Sequence, residues 1–125
     1  MEPRDPLVVL QESLRGSPII WKGDYPYFIH PISDGIPRMD ANVLRATRDL
    51  IISMVDWSEI DLIVSVEAMG LPLLAAVGEA SGKPTVVIRK RSYGMEGEVE
   101  VNVSTGYSKS TIYINDIKPG ELSLI

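Results

Sequence analysis

Leu62 to Gly70, reading L-I-V-S-V-E-A-M-G, constrains the fold of this chain more than any other stretch. Leu62, Ile63, Val64 and Val66 make a short run rich in β-branched residues, the pattern of a strand buried on both faces. Glu67-Ala68-Met69-Gly70 follows at once. Leu71-Pro72 then opens a helical pattern, with Pro72 at or near the first helical position, where a missing N–H is not needed. A buried strand, a glycine turn and a helix start together aim several backbone N–H groups at one place, which suits an anion such as a phosphate. An ordinary strand-to-helix connection in a parallel sheet carries the same signature, and the turn alone does not separate the two.

The residues around this stretch extend it into a layered α/β pattern. Leu73, Leu74, Ala76, Val77 and Ala80 predict a mostly buried helix closed by Gly82, and Pro84 to Ile88 supplies another β-branched run. Strand, helix and strand with short connections form a βαβ unit with an expected right-handed crossover. Upstream, Asp40 is a candidate N-cap, and Val43, Leu44, Thr47, Leu50, Ile51, Met54 and Val55 recur on one helical face. That face is expected to lie on the sheet. A shorter helix is predicted from Asp5 and Pro6 through Leu14, ended by Gly16 and Pro18. Arg89-Lys90-Arg91 stands at the carboxyl end of the second strand, the side on which open α/β sheets bind ligands. Three cations near the Glu67–Gly70 turn would converge on one anion, although a solvated basic cluster reads the same way.

Two segments lack a clear period. Trp21, Tyr25, Tyr27 and Phe28 place four aromatic residues within eight positions, interrupted by Pro26 and followed by Pro31. This predicts an edge strand or irregular segment whose rings either cap a core or wall a pocket for a flat ligand. From Ser92 to Lys109, Gly94, Gly97 and Gly106 punctuate charged and hydroxyl residues, and Glu98 to Val103 alternates weakly. A long, mobile hairpin fits best, and loops of this length in a small domain are commonly lids. Thr111 to Ile114 reads as a strand, Asn115 to Gly120 as a turn, and Leu122 to Ile125 as the start of another strand.

Composition narrows the function. A chain of 125 residues is one domain, and a net charge of −5 disfavours non-specific nucleic-acid binding. With no cysteine, the chain has no disulfide framework, thiolate metal site or thiol nucleophile. No apolar run approaches the roughly 18 residues of a membrane span, and Met1 to Pro6 lacks the basic and apolar parts of a signal peptide. The expectation is a cytoplasmic protein without a membrane partner.

In order along the chain, several pieces resemble the type I phosphoribosyltransferases, in particular archaeal purine-salvage enzymes acting on hypoxanthine and guanine or on adenine. They are Lys22-Gly23-Asp24-Tyr25, then Tyr27-Phe28-Ile29-His30-Pro31-Ile32-Ser33-Asp34-Gly35-Ile36-Pro37, then Val66-Glu67-Ala68-Met69-Gly70. Ile88-Arg89-Lys90-Arg91 with Tyr93-Gly94, Glu96-Gly97-Glu98, and Ser104-Thr105-Gly106-Tyr107-Ser108 complete the series. The resemblance implies a Rossmann-like parallel sheet with flanking helices. It also implies transfer of ribose 5-phosphate from 5-phosphoribosyl-1-pyrophosphate (PRPP) to a purine, with release of pyrophosphate. By resemblance, the turn Glu67, Ala68, Met69 and Gly70 cradles the pyrophosphate, often through a strained or cis peptide, and Arg89, Lys90 and Arg91 help hold it. Residues of about 91–109, including Ser92, Tyr93, Gly94, Ser104, Thr105, Gly106 and Tyr107, match a flexible loop that closes over the reactants. Phe28, Ile29 and His30, within about 19–37, match part of the hood over the base, where His30 is expected to pack or hydrogen-bond rather than act as a base. Magnesium would arrive on PRPP or pyrophosphate, with no protein ligand identified for it, and a homodimer is expected.

One departure stands against these matches. The family's acidic pair followed by a hydroxyl- and glycine-rich loop, which holds the 5′-phosphate, occurs nowhere in these residues. Two expectations follow: a purine phosphoribosyltransferase lacking its PRPP motif through truncation, or a non-catalytic nucleotide-binding or regulatory module of the same fold. On either, the 125-residue chain alone is expected to be inactive. Its last strand would leave an edge that dimerisation or aggregation hides.

Overall fold

A computed structural model describes residues 4–106 and 108–125; Met1, Glu2, Pro3 and Tyr107 lie outside the described residues. Helix α1 (Pro6–Arg15) starts where Asp5 Oδ1 accepts the Leu7 N–H at 2.9 Å, so the capping aspartate acts as read from the sequence. Helix α3 (Ala41–Met54) is capped in the same way by Asp40, whose Oδ1 accepts the Asn42 N–H at 2.8 Å. Between them lie the strands β1 (Ile19–Lys22) and β2 (Tyr25–Phe28) and a one-turn helix α2 (Pro31–Asp34). Helices α1 and α3 pack together, and α3 packs on α4 (Leu71–Ser81).

The centre is a parallel sheet of β4 (Thr85–Ile88), β3 (Leu62–Val66) and β7 (Ser123–Leu124), in that order. Ile63 to Val66 pair in register with Thr85 to Ile88, whereas β7 pairs only with Leu62 and Ile63. Burial follows from the β-branched run: Val64 is 2% exposed, and Leu62, Val64 and Ile88 form a core with Ile112 and Ile114 against it. On the other face Ile63 packs with Leu74 and Val77 of α4 and with Ile51, Ile52 and Trp57. Helix α4 ends at Gly82, whose φ of 72° is left-handed and favours glycine. At Gly78 an added Cβ would lie 2.5 Å from Thr85 Cγ2, so the helix lies close against β4.

Strands β5 (Val99–Ser104) and β6 (Lys109–Ile114) form an antiparallel hairpin, whose first arm follows the alternation after Glu98 and whose second arm is the strand read at 111–114 rather than part of residues 92–109. It is fastened to the parallel sheet by Arg89 and Tyr113, which exchange both backbone hydrogen bonds at 3.1 and 2.8 Å.

Three expectations change. The aromatic segment is an isolated antiparallel ribbon, β1 with β2, whose rings are largely exposed rather than capping a core. A two-stranded ribbon has no second layer to cover it, so Trp21 is 66% exposed and Tyr25 and Phe28 are also exposed. Pro31 starts helix α2 instead of interrupting a strand. Met54, read onto the inner face of α3, is 80% exposed beside an open apolar groove of about 360 Å³ shared with Val55, Leu73 and Leu124. Ala46 and Thr47 are the residues α3 buries.

Candidate functional site

The site is built at the carboxyl ends of β3 and β4. Because the two strands run parallel in register, Val66 lies beside Ile88, and the residues that follow each of them are brought together. The Glu67 N–H donates to the Ile88 carbonyl at 3.1 Å, which extends the ladder one residue into the turn. The Glu67–Ala68 peptide is cis, as the resemblance implies for this turn. Gly70 is the N-cap residue of α4, and Pro72 lies in its first turn. No side chain caps that helix end; the Leu71 N–H is taken by the Ala68 carbonyl at 3.2 Å and Pro72 has none, and the partial positive charge of the helix N-terminus remains there.

Gly70 is required here by space. A Cβ at this position would lie 1.7 Å from Ser65 Oγ and 3.2 Å from the Val66 carbonyl oxygen. The turn therefore doubles back against β3 closely enough that only glycine fits without displacement.

The three cations do not converge equally. Arg89 Nη2 pairs with Glu67 Oε2 at 3.2 Å, and its guanidinium carbon lies 5.4 Å from the centre of the Tyr93 ring. The Lys90 N–H donates to Glu67 Oε1 at 2.6 Å, while the Lys90 side chain is exposed. Arg91 lies 4.9 Å from the same Tyr93 ring, and its Nε and Nη2 each reach the Tyr93 hydroxyl at 3.3 Å. Both guanidinium groups thus lie against the Tyr93 ring. Ala68 and Met69 are exposed on the turn.

Glu98 organises the next residues, a role no sequence signal assigned to it. Its carboxylate accepts from the Ser92 hydroxyl, the Tyr93 N–H at 3.0 Å and Asn115 Nδ2 at 3.0 Å. These donors hold its pKa below the ordinary 4.5, the Ser92 hydroxyl first and then Asn115. Gly94 is held by a bond from its N–H to Ser92 Oγ at 3.1 Å. Ser104, Thr105 and Gly106 lie at the far end of the β5–β6 hairpin, away from the turn, where the Thr105 N–H donates to the Ser108 carbonyl at 2.7 Å. Tyr107 lies outside the described residues.

The hood residues form a separate cluster near α1. Phe28 is exposed, Ile29 is buried, and His30 is 4% exposed and stacked on Phe28 at 5.9 Å between ring centres. His30 Nδ1 accepts the Ile32 N–H at 3.2 Å, which caps α2 and puts the ring proton on Nε2. Nε2 then donates to Ser13 Oγ at 3.0 Å, and Ser13 donates onward to the Leu10 carbonyl at 2.6 Å. In this tautomer His30 has no free lone pair with which to take a proton from Ser13. Burial lowers its pKa, opposed by the negative charge of Asp34.

No protein-family model matches the chain. In sequence the chain is similar to hypoxanthine/guanine phosphoribosyltransferases, and its fold is that of solved adenine phosphoribosyltransferases. Over 117 residues, 94% of its length, it is 50% identical to a hypoxanthine/guanine phosphoribosyltransferase of Aciduliprofundum boonei. A hypoxanthine/guanine phosphoribosyltransferase of Methanocaldococcus infernus is 48% identical over 93% of the chain. The chain spans 63% of the length of each of these relatives. Among solved structures, its fold matches adenine phosphoribosyltransferase of Saccharomyces cerevisiae with a TM-score of 0.76 at 16% identity, covering 94% of this chain and 69% of that one. The enzyme of the same name from Thermoanaerobacter pseudethanolicus matches with a TM-score of 0.75 at 18% identity, over 91% of this chain and 67% of that one. No helix among the described residues is long and apolar enough to cross a membrane.

Proposed function

We propose that this chain carries the pyrophosphate-holding part of a purine phosphoribosyltransferase of the cytoplasm, which moves ribose 5-phosphate from PRPP to a purine nitrogen. The observation that supports this most is the meeting of the Glu67–Gly70 turn with Arg89 and Lys90 at the ends of adjacent parallel strands. The departing pyrophosphate sits between the Met69 and Gly70 backbone at the start of α4 and the Arg89, Lys90 and Arg91 side chains. Donors and charges already in place stabilise the charge that grows on a leaving group without reorganising. The β5–β6 hairpin and residues 92–98 fold over the reactants to exclude water, and Phe28, Ile29 and His30 belong to the hood over the base. Magnesium arrives on the PRPP or pyrophosphate that binds. The working form is a homodimer.

Calorimetry with pyrophosphate tests the site. Arg89→Ala removes a charge-assisted contact and should weaken binding by about 1.5–3 kcal/mol; unchanged affinity refutes the assignment. The activity is tested in a chimera that joins these residues to the part of the A. boonei relative outside the match. Nucleotide formation from magnesium, PRPP and adenine, hypoxanthine or guanine supports the reading. A folded chimera that binds pyrophosphate but makes no nucleotide favours a non-catalytic module of the same fold.

A further inference from the structure

A carboxylate in the middle of an anion seat needs an explanation. Glu67 stands at the first position of the turn, and both of its oxygens are engaged by residues at the exit of β4: Oε1 by the Lys90 N–H at 2.6 Å and Oε2 by Arg89 Nη2 at 3.2 Å. Its side chain is 20% exposed. Arg89 is held at two further places, while one of its nitrogens is left without a partner. Its backbone exchanges two hydrogen bonds with Tyr113, its guanidinium lies over Tyr93, and its Nε is buried without a partner.

We infer that Glu67 does not contact the anion but is a positioning residue, which fixes the Arg89 guanidinium toward the turn and ties the ends of β3 and β4 into one seat. The inference rests on the anion seat proposed above. An unrestrained arginine has many rotamers, and the entropy lost in fixing one subtracts from the affinity of whatever it binds. With Nη2 on Glu67 and the ring of Tyr93 beneath it, most of that ordering is complete before a ligand arrives. A guanidinium has five N–H donors, so one ion pair leaves others for a phosphate oxygen. Glu67 also reduces the local positive charge. Simple electrostatics and positioning therefore predict opposite outcomes when its charge is removed.

Glu67→Gln separates them, because the amide oxygen can still accept the Lys90 N–H while the grip on Arg89 is lost. Pyrophosphate binding to the 125-residue chain is measured by calorimetry for wild type, E67Q, R89A and the double variant, with folding checked by thermal melting. Positioning predicts that E67Q weakens binding about tenfold and that the loss vanishes in the R89A background, since Glu67 then has nothing to position. Equal losses in both backgrounds mark a merely structural role and overturn the inference. Unchanged or tighter binding in E67Q overturns it as well and leaves Glu67 as a competitor for Arg89. Wild-type binding that R89A abolishes while E67Q does not impair it refutes this inference alone, whereas no binding to wild type refutes the seat and this inference with it. Should E67Q not fold, Glu67→Asp replaces it: one methylene shorter, it cannot span both partners, and the same loss and the same non-additivity are expected.

Discussion

Replacing Gly70 by Ala asks whether the turn depends on its close approach to β3. Gly70 has a φ of −79°, which alanine adopts freely, so the cost of the change is steric. The new Cβ lies 1.7 Å from Ser65 Oγ, 3.0 Å from Ser65 Cβ and 3.2 Å from the Val66 carbonyl oxygen. The first contact involves a hydroxyl that can swing to another staggered rotamer. The other two belong to the strand itself and yield only if the turn moves away by a few tenths of an ångström. Overpacking of this kind costs about 1–3 kcal/mol, and with one contact removable by rotation a loss of about 2 kcal/mol is expected. In a Ser65→Ala background the hydroxyl is gone and only the strand contacts remain, so the same substitution should cost about 1 kcal/mol. Urea denaturation of wild type, G70A, S65A and the double variant measures all four stabilities, provided the slopes agree. A G70A protein within about 0.5 kcal/mol of wild type would refute the steric reasoning. Equal losses in the two backgrounds would refute the part assigned to Ser65.

Three further outcomes follow from the same contacts. His30 is buried neutral with its pKa lowered, so it adds stability that is full above the ordinary 6.5 and is lost as pH falls from there through the lowered folded value; urea midpoints across that range should show the decline, and His30→Gln should flatten it. Glu98→Ala frees the Tyr93 N–H, and native-state hydrogen exchange at that amide should speed up; in wild type the protection should hold at neutral pH and fail as pH drops below 4.5 through the lowered pKa of Glu98. The 125 residues contain no acidic pair with a glycine-rich loop, and orienting bound reactants accounts for about 7–11 kcal/mol of a barrier. The chain by itself is therefore expected to bind pyrophosphate and form no nucleotide from PRPP and any of the three purines, as followed by chromatography.

The parts of the fold visible in the sequence are those fixed by neighbours along the chain. Asp5 and Asp40 cap helices two residues away, Gly82 closes α4 in its own turn, and the β-branched runs at 62–66 and 85–88 need no distant partner to be recognised. Helical spacing puts Met54 on the inner face of α3, but spacing says only which residues share a face, not how far the covering layer reaches along it. The one-turn helix at Pro31 is capped by a histidine ring nitrogen, a substitute for the usual Ser, Thr, Asp or Asn that pattern reading does not anticipate. In the site, Glu67, Arg89 and Lys90 were legible as a cluster, because parallel strands bring their carboxyl ends together. Their pairing was not. Whether Arg89 points to a ligand, to Glu67 or across Tyr93 is decided by side-chain direction over a separation of 22 positions. Glu98 with Asn115 is a contact of the same kind, 17 positions apart, and no local pattern marks it.

The narrow gap between α4 and β4 makes residues 78 and 85 a single unit of inheritance. With Gly78 in place, the Thr85 methyl fills the space a helix side chain would take. Alanine at 78 gains helix propensity of about 1 kcal/mol over glycine, yet its Cβ falls 2.5 Å from that methyl. A branched strand residue cannot easily turn aside, since its χ1 is stiff. Neither position is therefore free to drift alone. A lineage that enlarges one must shrink the other first or pass through a less stable ancestor, and the residue pair records a choice between packing on the helix and packing on the strand.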